Sequence, residues 1–598
     1  MTNPLRKVVL IASLSLLIPG ILFSQSDLGS ISGYIKDPSG ATVPNAKVAV
    51  KNQSGLQRQA TTDSSGFYSI PNLPPGFYTM TAEAAGFQKY VSNQNKLDPS
   101  ARLPLDATLT VGTQSQIVQV TAAVQTLQSQ SAAVQKLVTR QQIDSLELNG
   151  RDPVLLAQLA PGAQGGNLAG LTFNFAQGPS HFNGSRNWEN LITNDGAPAT
   201  RTRANGTSLG SADEDSVEEV QVLGADYPAE YGRSSGGQIR IVTKSGGPQF
   251  HGAAYEYVRN TDLNANTWQR NSNTTTTGLA ATNFVAPEHY NDFGYDIGGP
   301  FYIPGHFNTD KSKVFWYWGD EFTRNYFTDQ SSMTVPTMKM RNGDFSELLD
   351  PNNIFYHKSV QLVNPKTGQP FPNNQLGSAA SVNGLGILNA YPFPNLTTPI
   401  NGNQNWFVSA AHPQRQQKKT VSVDVNLSPN QRLRYRGEYY TFFEYQPLDG
   451  GSGETPKYFN RPNFTNSLDD TWVISPTKVN EVLLSLSHDR VLIPVNAAGF
   501  VDRTTRGINF PYIYPASEKE IPTRIPSVNM SEFSGLSGGP YPSHSAGPIL
   551  DASDNFSWVK GNHTMKFGFL YEWDGENNND EINVSACNTC TNTQNGQF

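Results

Sequence analysis

The chain has 598 residues, which is too long for one ordinary domain, so several folding units are expected. Its formal net charge is −7, from 43 basic and 50 acidic residues, and only 16% of its residues are charged. Phosphate binding needs a clustered basic surface, so this composition argues against nucleic acid as the main partner. The many Gly (52), Pro (40), Tyr (24) and Phe (31) residues predict a mainly β protein, because strands favour aromatic residues and turns favour Gly and Pro.

The N-terminus has the pattern of a secretory signal peptide. The basic pair Arg6-Lys7 precedes an apolar stretch, 8–23, and small residues follow at 24–26. A transmembrane anchor is disfavoured because the stretch is short and contains a Pro-Gly pair. We expect residues 1–26 to be removed on export. No later segment has the apolar length of a spanning helix, so any membrane crossing must use strands.

Residues 27–110 contain short runs in which apolar and polar side chains alternate. Ile31 and Ile35 share one face of the first run, and Val48 and Val50 share one face of the second. Turn sequences such as Asp-Pro-Ser-Gly separate the runs. Short strands with regular turns predict a small β-sandwich.

This unit resembles the carboxypeptidase regulatory-like domain, a transthyretin-like β-sandwich of the carbohydrate-binding-like fold class. The matching motifs are Gly33-x-Ile35-x-Asp37, Gly40 with Val43-Pro44-x-Ala46, Thr62-Asp63-x-x-Gly66-x-Tyr68 and Pro75-Gly76-x-Tyr78. Its aromatic residues could stack on sugars or pack in the core, and core packing is the simpler interpretation. These residues are Tyr34, Phe67, Tyr68, Phe77 and Tyr78. The family name does not imply peptidase activity. No histidine begins an H-x-x-E or H-E-x-x-H motif, so we expect no metal site, no cofactor and no enzyme activity.

A short β-prone segment at 116–122 resembles the TonB box. Such a peptide adds as a strand to a sheet edge of TonB, the energy-transducing protein, so backbone pairing supplies the affinity. The candidate residues are Ile117, Val118, Gln119, Val120, Thr121 and Ala122. An ordinary strand that leads into the next domain explains the same pattern, and the sequence leaves both interpretations open.

Residues 111–247 are expected to form an α/β plug domain. Asp152 suits the N-cap and Pro153 the first position of a short helix over 154–159. The end of the unit resembles the plug of TonB-dependent receptors, with the matches Glu219, Val220, Val222, Tyr231, Gly232, Gly236, Gly237, Ile239, Ile241, Thr243 and Lys244. Three charged residues in this run form no catalytic constellation and are expected to face the lumen or solvent: Glu218, Glu219 and Arg240.

Residues 248–598 show alternation over about ten residues at a time, the length of a tilted membrane-crossing strand. The candidate strands are 250–259, 290–299, 313–325, 418–427, 431–442, 464–474, 478–490, 550–559 and 563–573. Several neighbours are joined by three-residue turns, whereas the alternate connections are long. Short turns on one side and long loops on the other predict the N-terminal part of an antiparallel transmembrane β-barrel.

The same region resembles the acidobacterial Oar-like TonB-dependent receptors. The matches include Lys244-Ser-Gly-Gly with Phe250-His251-Gly252, then Gly298-Gly299-Pro300, Phe315-Trp-Tyr-Trp, Val335-Pro336-Thr337 and Gly561-x-His563-x-x-Lys566-Phe567-Gly568. Such receptors have ~22 strands. Nine candidates are an odd number, and the residues before Phe598 are polar, unlike a final strand. We therefore expect this chain to hold an incomplete barrel.

The resemblance implies a receptor that imports a siderophore, glycan or similar ligand across the outer membrane of a Gram-negative bacterium. Its partners would be TonB on the periplasmic side, outer-membrane lipid and an unknown extracellular ligand, captured by the long loops 326–417 and 491–549. The alternative is an adhesin or carbohydrate-binding surface protein that uses the barrel as an anchor.

Cys587 and Cys590 form a single C-x-x-C. Zinc would need further ligands, so we expect a disulfide, placed in an extracellular loop by the strand count.

Overall fold

The structure is a computed structural model that describes residues 29–580 with internal gaps. The gaps are 53–55, 74–75, 98–101, 113–116, 122–132, 147, 166–180, 187–188, 203, 211, 273–284, 476, 497, 512–520, 539–541 and 561–562. The expected signal peptide, Ala122 of the candidate TonB box, and Cys587 with Cys590 therefore lie outside the described residues.

The N-terminal unit is the expected two-sheet sandwich. Its strands are β1 (Gly29–Lys36), β2 (Lys47–Asn52), β3 (Gln57–Thr61), β4 (Phe67–Leu73), β5 (Gly76–Glu83), β6 (Lys89–Leu97), β7 (Arg102–Pro104), β8 (Ala107–Thr108) and β9 (Ile117–Thr121). One sheet has the order β4-β1-β7, with β8 also paired to β1, and the other has the order β3-β2-β5-β6-β9. Residues two apart on a strand share a face, so Ile31, Ile35, Val48 and Val50 meet in one buried core.

A second unit, with its own core, follows between residues 134 and 243. Its strands are β10 (Val134–Thr139), β11 (Ala163–Gln164), β12 (His181–Phe182), β13 (Leu191–Asn194), β14 (Ala197–Pro198), β15 (Thr200–Arg201), β16 (Ala204–Ser208), β17 (Val217–Ala225) and β18 (Gln238–Thr243). Five of them form the sheet β10-β17-β18-β13-β14, which packs on a helical segment. The helices are Arg140–Ser145 and the 3₁₀ segments Pro153–Leu159 and Glu214–Ser216.

The helix start predicted at Asp152 is confirmed, because its side chain accepts the Val154 N–H at 3.1 Å. The segment is a 3₁₀ helix, and its side chains Val154, Leu156 and Ala157 belong to the core of the second unit.

The third unit is one large antiparallel sheet. Its long strands are β19 (His251–Asn260), β20 (Glu288–Pro300), β21 (Val314–Met333), β22 (Trp406–Ser428), β23 (Gln431–Gln446), β24 (Lys457–Ser475), β25 (Lys478–Ile493), β28 (Ser543–Lys560) and β29 (His563–Asp574). The short strand β30 (Asn577–Asp580) also belongs to it, whereas β26 (Val528–Met530) and β27 (Phe533–Leu536) form a separate two-stranded sheet. The order is β19-β20-β21-β22-β23-β24-β25-β28-β29, with β30 paired to β28. All nine predicted strands are present, and within the described residues β19 and β29 are open edges.

The burial pattern of this sheet is inverted relative to a soluble sandwich. On β24, Ser467 and Asp469 are buried, whereas Leu468 and Trp472 are 39% and 47% exposed. The neighbouring strand repeats this with buried Ser485 beside exposed Leu484. Polar side chains inside and apolar side chains outside are the arrangement of a membrane barrel, since lipid covers the outer face.

The long loops fold into a subdomain of their own. Segments 334–405 and 494–542 share a core that contains Val335, Tyr391 and Ile525. Helices in the long connections are the α-helices Trp268–Asn271 and Val382–Ala390 and the 3₁₀ segments Thr261–Leu263, Met340–Asn342, Ser346–Leu349, Pro372–Asn374 and Gly377–Ala379. In the part of the chain that the structure describes, no helix is both long and apolar enough to span a membrane.

Candidate functional site

The second unit lies against the polar inner face of the large sheet and fills its concave side. Three contacts mark this boundary. The Tyr317 hydroxyl donates to Ser216 Oγ at 3.0 Å, and Ser422 Oγ donates to the Lys244 carbonyl at 2.8 Å. In addition, Asn463 Nδ2 donates to the Leu209 carbonyl at 2.6 Å. We call the second unit the plug because it occupies the lumen.

Arg151 is the centre of the largest charge cluster between plug and barrel. Its Nε lies 3.2 Å from Glu321 Oε2 on β21, and its Nη2 pairs with Asp215 of the plug. Its guanidinium also lies over the rings of Tyr255 and Tyr257, 4.7 Å and 4.3 Å from their centroids. One plug arginine therefore joins plug carboxylates to three barrel residues.

Burial changes the pKa values of the plug residues in this cluster. Burial raises the pKa of Glu214 to about 7 and that of Asp213 to about 6. For Arg151, burial favours the neutral form, but the surrounding carboxylates, Glu321 first among them, outweigh it and raise its pKa. The arginine therefore stays charged, while Glu214 titrates near neutral pH.

Two further ion-paired clusters tie the plug to other strands. Arg201 of the plug lies 2.8 Å from Asp489 on β25, which also lies 3.5 Å from Arg461 on β24. Arg436 on β23 donates to Ser245 Oγ at 2.7 Å and lies 4.0 Å from Asp195 in a plug turn. The interface therefore consists of hydrogen bonds and ion pairs spread over several strands.

The boundary between the plug and the wall is polar, and the apolar core of the plug does not extend across it. The apolar core of the plug is formed by plug residues alone, including Val154, Val220 and Ile239. A buried ion pair costs about as much in desolvation as it gains in attraction, and water can replace its partners when it opens. The surfaces that meet at this boundary are therefore polar, as they are between domains that can move relative to each other.

A cavity of about 640 Å³ lies where the sandwich, the plug and the barrel meet. Phe77 and Lys96 of the sandwich line it, together with Glu219 of the plug and Arg432 and Arg434 of the barrel. The sandwich sits at the short-turn end of the strands, where Arg58 Nη1 donates to the Pro429 carbonyl at 2.9 Å. Short turns are periplasmic in such barrels, so this is the periplasmic end of the lumen.

The structure places the candidate TonB box on the sandwich. Residues Ile117–Thr121 form β9, which pairs in parallel with segment 89–93 of β6. The strand belongs to the second sandwich sheet, although it lies beyond the expected domain end at residue 110.

The aromatic residues of the sandwich divide into two groups. Tyr68 and Tyr78 are 1% exposed and belong to the core, so for them sugar stacking is wrong. Tyr34 is 43% exposed and its ring centroid lies 5.3 Å from that of Phe67, while Phe77 is 42% exposed at the periplasmic cavity.

The three charged residues near the plug end lie in different settings. Glu218 is exposed and Glu219 is buried beside Lys96, with 3.6 Å between Glu219 Oε2 and Lys96 Nζ. Arg240 is buried and donates to Tyr231 Oη at 2.9 Å and to Gln221 Oε1 at 3.0 Å. Within the described residues no group of three or more His, Cys, Asp or Glu could hold a metal ion.

The sequence did not single out Arg151 as the residue that joins the plug to the barrel. The one local signal is the Asn-Gly-Arg-Asp-Pro turn, in which Gly150 and Arg151 both have positive φ, 86° and 52°. For a non-glycine residue this backbone conformation is uncommon, and it persists only where the surrounding contacts hold it in place.

Comparison with known families agrees with this architecture. Residues 242–598 match the family described as the outer membrane beta barrel domain, and residues 30–110 match the carboxypeptidase regulatory-like domain. The first match covers more than half of the chain. The chain therefore belongs to the outer-membrane β-barrel family, and it lies in the outer membrane of a Gram-negative bacterium.

A relative among characterised proteins confirms the resemblance to Oar-like receptors. The chain is 28% identical over 417 residues to the TonB-dependent transporter Oar of Myxococcus xanthus. The matched region covers 65% of this chain and 37% of that protein. Among solved structures it is similar to the outer membrane transporter YddB of Escherichia coli, with a TM-score of 0.44, 11% identity, and 74% of this chain and 48% of that chain covered. A mutant ferric enterobactin receptor, PfeA of Pseudomonas aeruginosa, has a TM-score of 0.38 and 12% identity, with 75% and 49% covered. The chain thus spans half or less of each of these proteins.

Proposed function

We propose that the chain forms the sandwich, plug and first barrel strands of a TonB-dependent transporter that imports a ligand across the outer membrane. The observation that carries this proposal is the polar, ion-paired boundary between the plug and the barrel wall. A plug that only stabilised the barrel would gain more from an apolar boundary, because burial of apolar surface is the main stabilising contribution in folding. A boundary built from Arg151, Arg201 and their carboxylate partners suits a plug that must be released and return.

The coupling to an energy source fits the same geometry. The outer membrane has no nucleotide supply, so a partner protein must pull the plug from the periplasmic side. The segment 117–121 lies on the periplasmic sandwich, N-terminal to the plug, where such a partner can reach it. The ligand would be a siderophore, a glycan or a similar molecule captured by the outer loop subdomain.

The alternative is an adhesin or carbohydrate-binding surface protein, and the separate core of the outer loops favours it as the second candidate. An adhesin binds its ligand without energy and without moving the plug. The two functions therefore differ in their dependence on the proton-motive force.

An uptake screen separates the two functions. Native cells and cells that lack the gene receive a panel of radiolabelled ferric siderophores and labelled oligosaccharides, with and without a protonophore. Accumulation of one probe that needs both the gene and the proton-motive force supports import. Surface binding that needs the gene but is insensitive to the protonophore, with no accumulation, identifies an adhesin instead.

A further inference from the structure

The two long outer loops enclose an apolar pocket of about 200 Å³ that is open to solvent on one side. We call it the loop pocket. Its described lining comes from residues 340–362 of one loop and from residues 530–533 of the other, and it includes the aromatic residues Phe345, Phe355, Tyr356 and Phe533. An apolar cavity of ~150 Å³ holds one benzene ring, so the loop pocket has room for an aromatic ring with a short chain.

One wall of the loop pocket is a hairpin that is fixed to the opposite loop. Met530 and Phe533 pair across the two-residue turn between β26 and β27, so their side chains lie on the same face. The Ser534 N–H donates to the Thr334 carbonyl at 3.0 Å, and the Tyr391 hydroxyl donates to the Ser534 carbonyl at 2.8 Å. The pocket is therefore formed before a ligand arrives, and binding does not have to order the loops.

Glu532 gives the loop pocket a negative charge. It lies in the turn of the hairpin, and among the described residues that line the pocket it is the one with a charge. No Lys, Arg or His of the described chain lies within salt-bridge distance of its carboxylate. Burial first, and the Glu532 carboxylate second, raise the pKa of Tyr356, so the Tyr356 hydroxyl stays neutral beside this charge. The pocket thus combines an apolar interior with a carboxylate that no protein cation neutralises.

An organic cation matches this combination better than a sugar or an anion does. The faces of aromatic rings attract cations, and a carboxylate adds a charge-assisted hydrogen bond. A sugar brings many hydroxyl groups that an apolar lining leaves without hydrogen bonds, and an anion is repelled by Glu532.

We propose that the loop pocket binds an organic ammonium ion, with an aromatic ring among the apolar side chains and the charge at Glu532. This inference rests on the proposed function, because it names the class of ligand that the outer loops capture for import.

The test measures the binding of matched small probes to the whole protein in lipid nanodiscs. Phenethylammonium carries the ring and the charge, phenethyl alcohol has nearly the same shape without the charge, and 3-phenylpropionate carries the opposite charge. Maltotriose represents a glycan. Titration calorimetry gives the affinity of each probe, and empty nanodiscs correct for partition into lipid.

Three variants connect the binding to the loop pocket. Glu532→Gln keeps the size of the side chain and removes its charge. Leu362→Trp adds bulk to the lining of the pocket. Val363→Trp is its control, because it adds similar bulk at the next position, where the side chain is 51% exposed. Circular dichroism of all three variants checks that they fold.

We expect phenethylammonium to bind at least tenfold more tightly than phenethyl alcohol or 3-phenylpropionate. Glu532→Gln should remove this preference, Leu362→Trp should abolish the binding of phenethylammonium, and Val363→Trp should leave it unchanged. Equal affinities for the ammonium and the alcohol would overturn the proposed cation site, and so would tighter binding of maltotriose. No binding of any probe would show that the loop pocket is a packing gap.

Failure of this proposal and failure of the transport function give different results. Binding in nanodiscs needs no proton-motive force, so it tests the pocket alone. Protonophore-sensitive uptake of another probe, without binding of phenethylammonium, overturns the cation site and keeps the transport function. Binding of phenethylammonium at the pocket, without gene-dependent uptake of any labelled probe, keeps the cation site and overturns transport.

Discussion

Nε of Arg151 in the plug lies 3.2 Å from Oε2 of Glu321 on the barrel strand β21, although 170 positions separate the two residues. Nζ of Lys418 on β22 lies 2.9 Å from the other oxygen of the same carboxylate. Glu321 is therefore shared between the plug and the wall. If the plug leaves the wall, as the proposed transport requires, water must replace the arginine while Lys418 keeps the carboxylate paired.

Removing the arginine should loosen the plug. Arg151→Ala leaves several buried carboxylates without their shared cation, so we expect a loss of about 3–5 kcal/mol in the free energy of unfolding. Guanidinium titration measures this, with protease cleavage of the plug as a second readout.

Adding Glu321→Gln to Arg151→Ala should restore part of the lost stability, because one of the unpaired negative charges is then removed. The control is Arg415→Ala at an exposed position, with an expected change below about 0.5 kcal/mol. An equal loss in both arginine variants would contradict a specific role for Arg151.

A disulfide between plug and barrel should stop transport reversibly. A Cβ built on Gly319 of β21 lies 3.5 Å from Cβ of Ser216 in the plug, within the disulfide range of about 3.5–4.5 Å. With Cys587 and Cys590 replaced by Ser, we expect Ser216→Cys with Gly319→Cys to block protonophore-sensitive uptake when oxidised. A reductant should restore uptake to the level of the Gly319→Cys single variant, in which the new Cβ lies 2.1 Å from Ser216 Oγ and makes that hydroxyl turn away. The Ser216→Cys single variant should transport normally.

A second pair provides an independent check of the same prediction. A Cβ on Gly547 of β28 lies 3.4 Å from Cβ of Thr202, at a different part of the plug. Full uptake by both oxidised pairs, with the bridges verified by mass spectrometry, would show that the plug need not move against the wall.

Two adjacent glycines should differ sharply in their tolerance of a methyl group. A Cβ on Gly246 would lie 2.2 Å from the backbone oxygen of Trp316 on β21, whereas nothing lies within 4 Å of a Cβ on Gly247. Gly246→Ala should therefore lower the free energy of unfolding by about 1–3 kcal/mol, because the plug end and β21 must move apart. Gly247→Ala is the control and should have no such effect. Thermal unfolding of the two variants measures the difference, and equal melting temperatures would contradict the close approach.

The stability of the plug should fall as the pH rises through neutrality. Burial raises the pKa of Glu214 from its ordinary value of 4.5 to about 7, with Arg151 opposing and Asp215 and Glu321 adding to the increase. The folded plug thus favours the neutral acid. The neutral Glu214 side chain contributes on the order of 3 kcal/mol to the free energy of unfolding. This contribution is fully present below pH 4.5, and it is lost as the pH rises to about 7 and the side chain ionises in the folded state. Glu214→Gln, which is neutral at every pH, should remove this share of the dependence. Melting temperatures at about pH 5 and pH 8 measure it, and identical profiles for the two proteins would disprove the assignment.

Charge on the outer face should be tolerated according to depth. Leu484 is 49% exposed in the middle part of β25, and Leu427 is 55% exposed next to a periplasmic turn. Leu484→Lys should cost about 2–4 kcal/mol in phospholipid vesicles, and Leu427→Lys at most about 1 kcal/mol, because the cost falls toward the interface. Guanidinium titration in vesicles compares the two. A larger cost at Leu427 would mean that the apolar band lies elsewhere on the sheet.

The positions of the strands were predictable, but not their lengths. The predicted strand 313–325 is observed as Val314–Met333, and 418–427 as Trp406–Ser428. Alternation between lipid and lumen occurs only over the membrane thickness, so it marked the inner part of each strand. Beyond the membrane the strands continue because their backbones still pair, and the side chains there carry no lipid signal.

The charge clusters could not have been predicted from local patterns. Arg201 and Asp489 are 288 positions apart, and each is an ordinary polar residue in its own segment. Only the packing of the plug against the inner face of the sheet brings them together.

By itself, the sequence determined the period of the strands, the turns, the helix start at Asp152 and the order of sandwich, plug and barrel, because these depend on side chains close together along the chain. The tertiary structure decided which face of the sheet is polar and faces the lumen, since apolar and polar side chains alternate in the same way in a soluble sandwich and in a barrel. It also decided that β9 pairs with β6 and that Arg151 reaches Glu321. Such contacts depend on where distant backbones lie, and that position results from the packing of the whole chain.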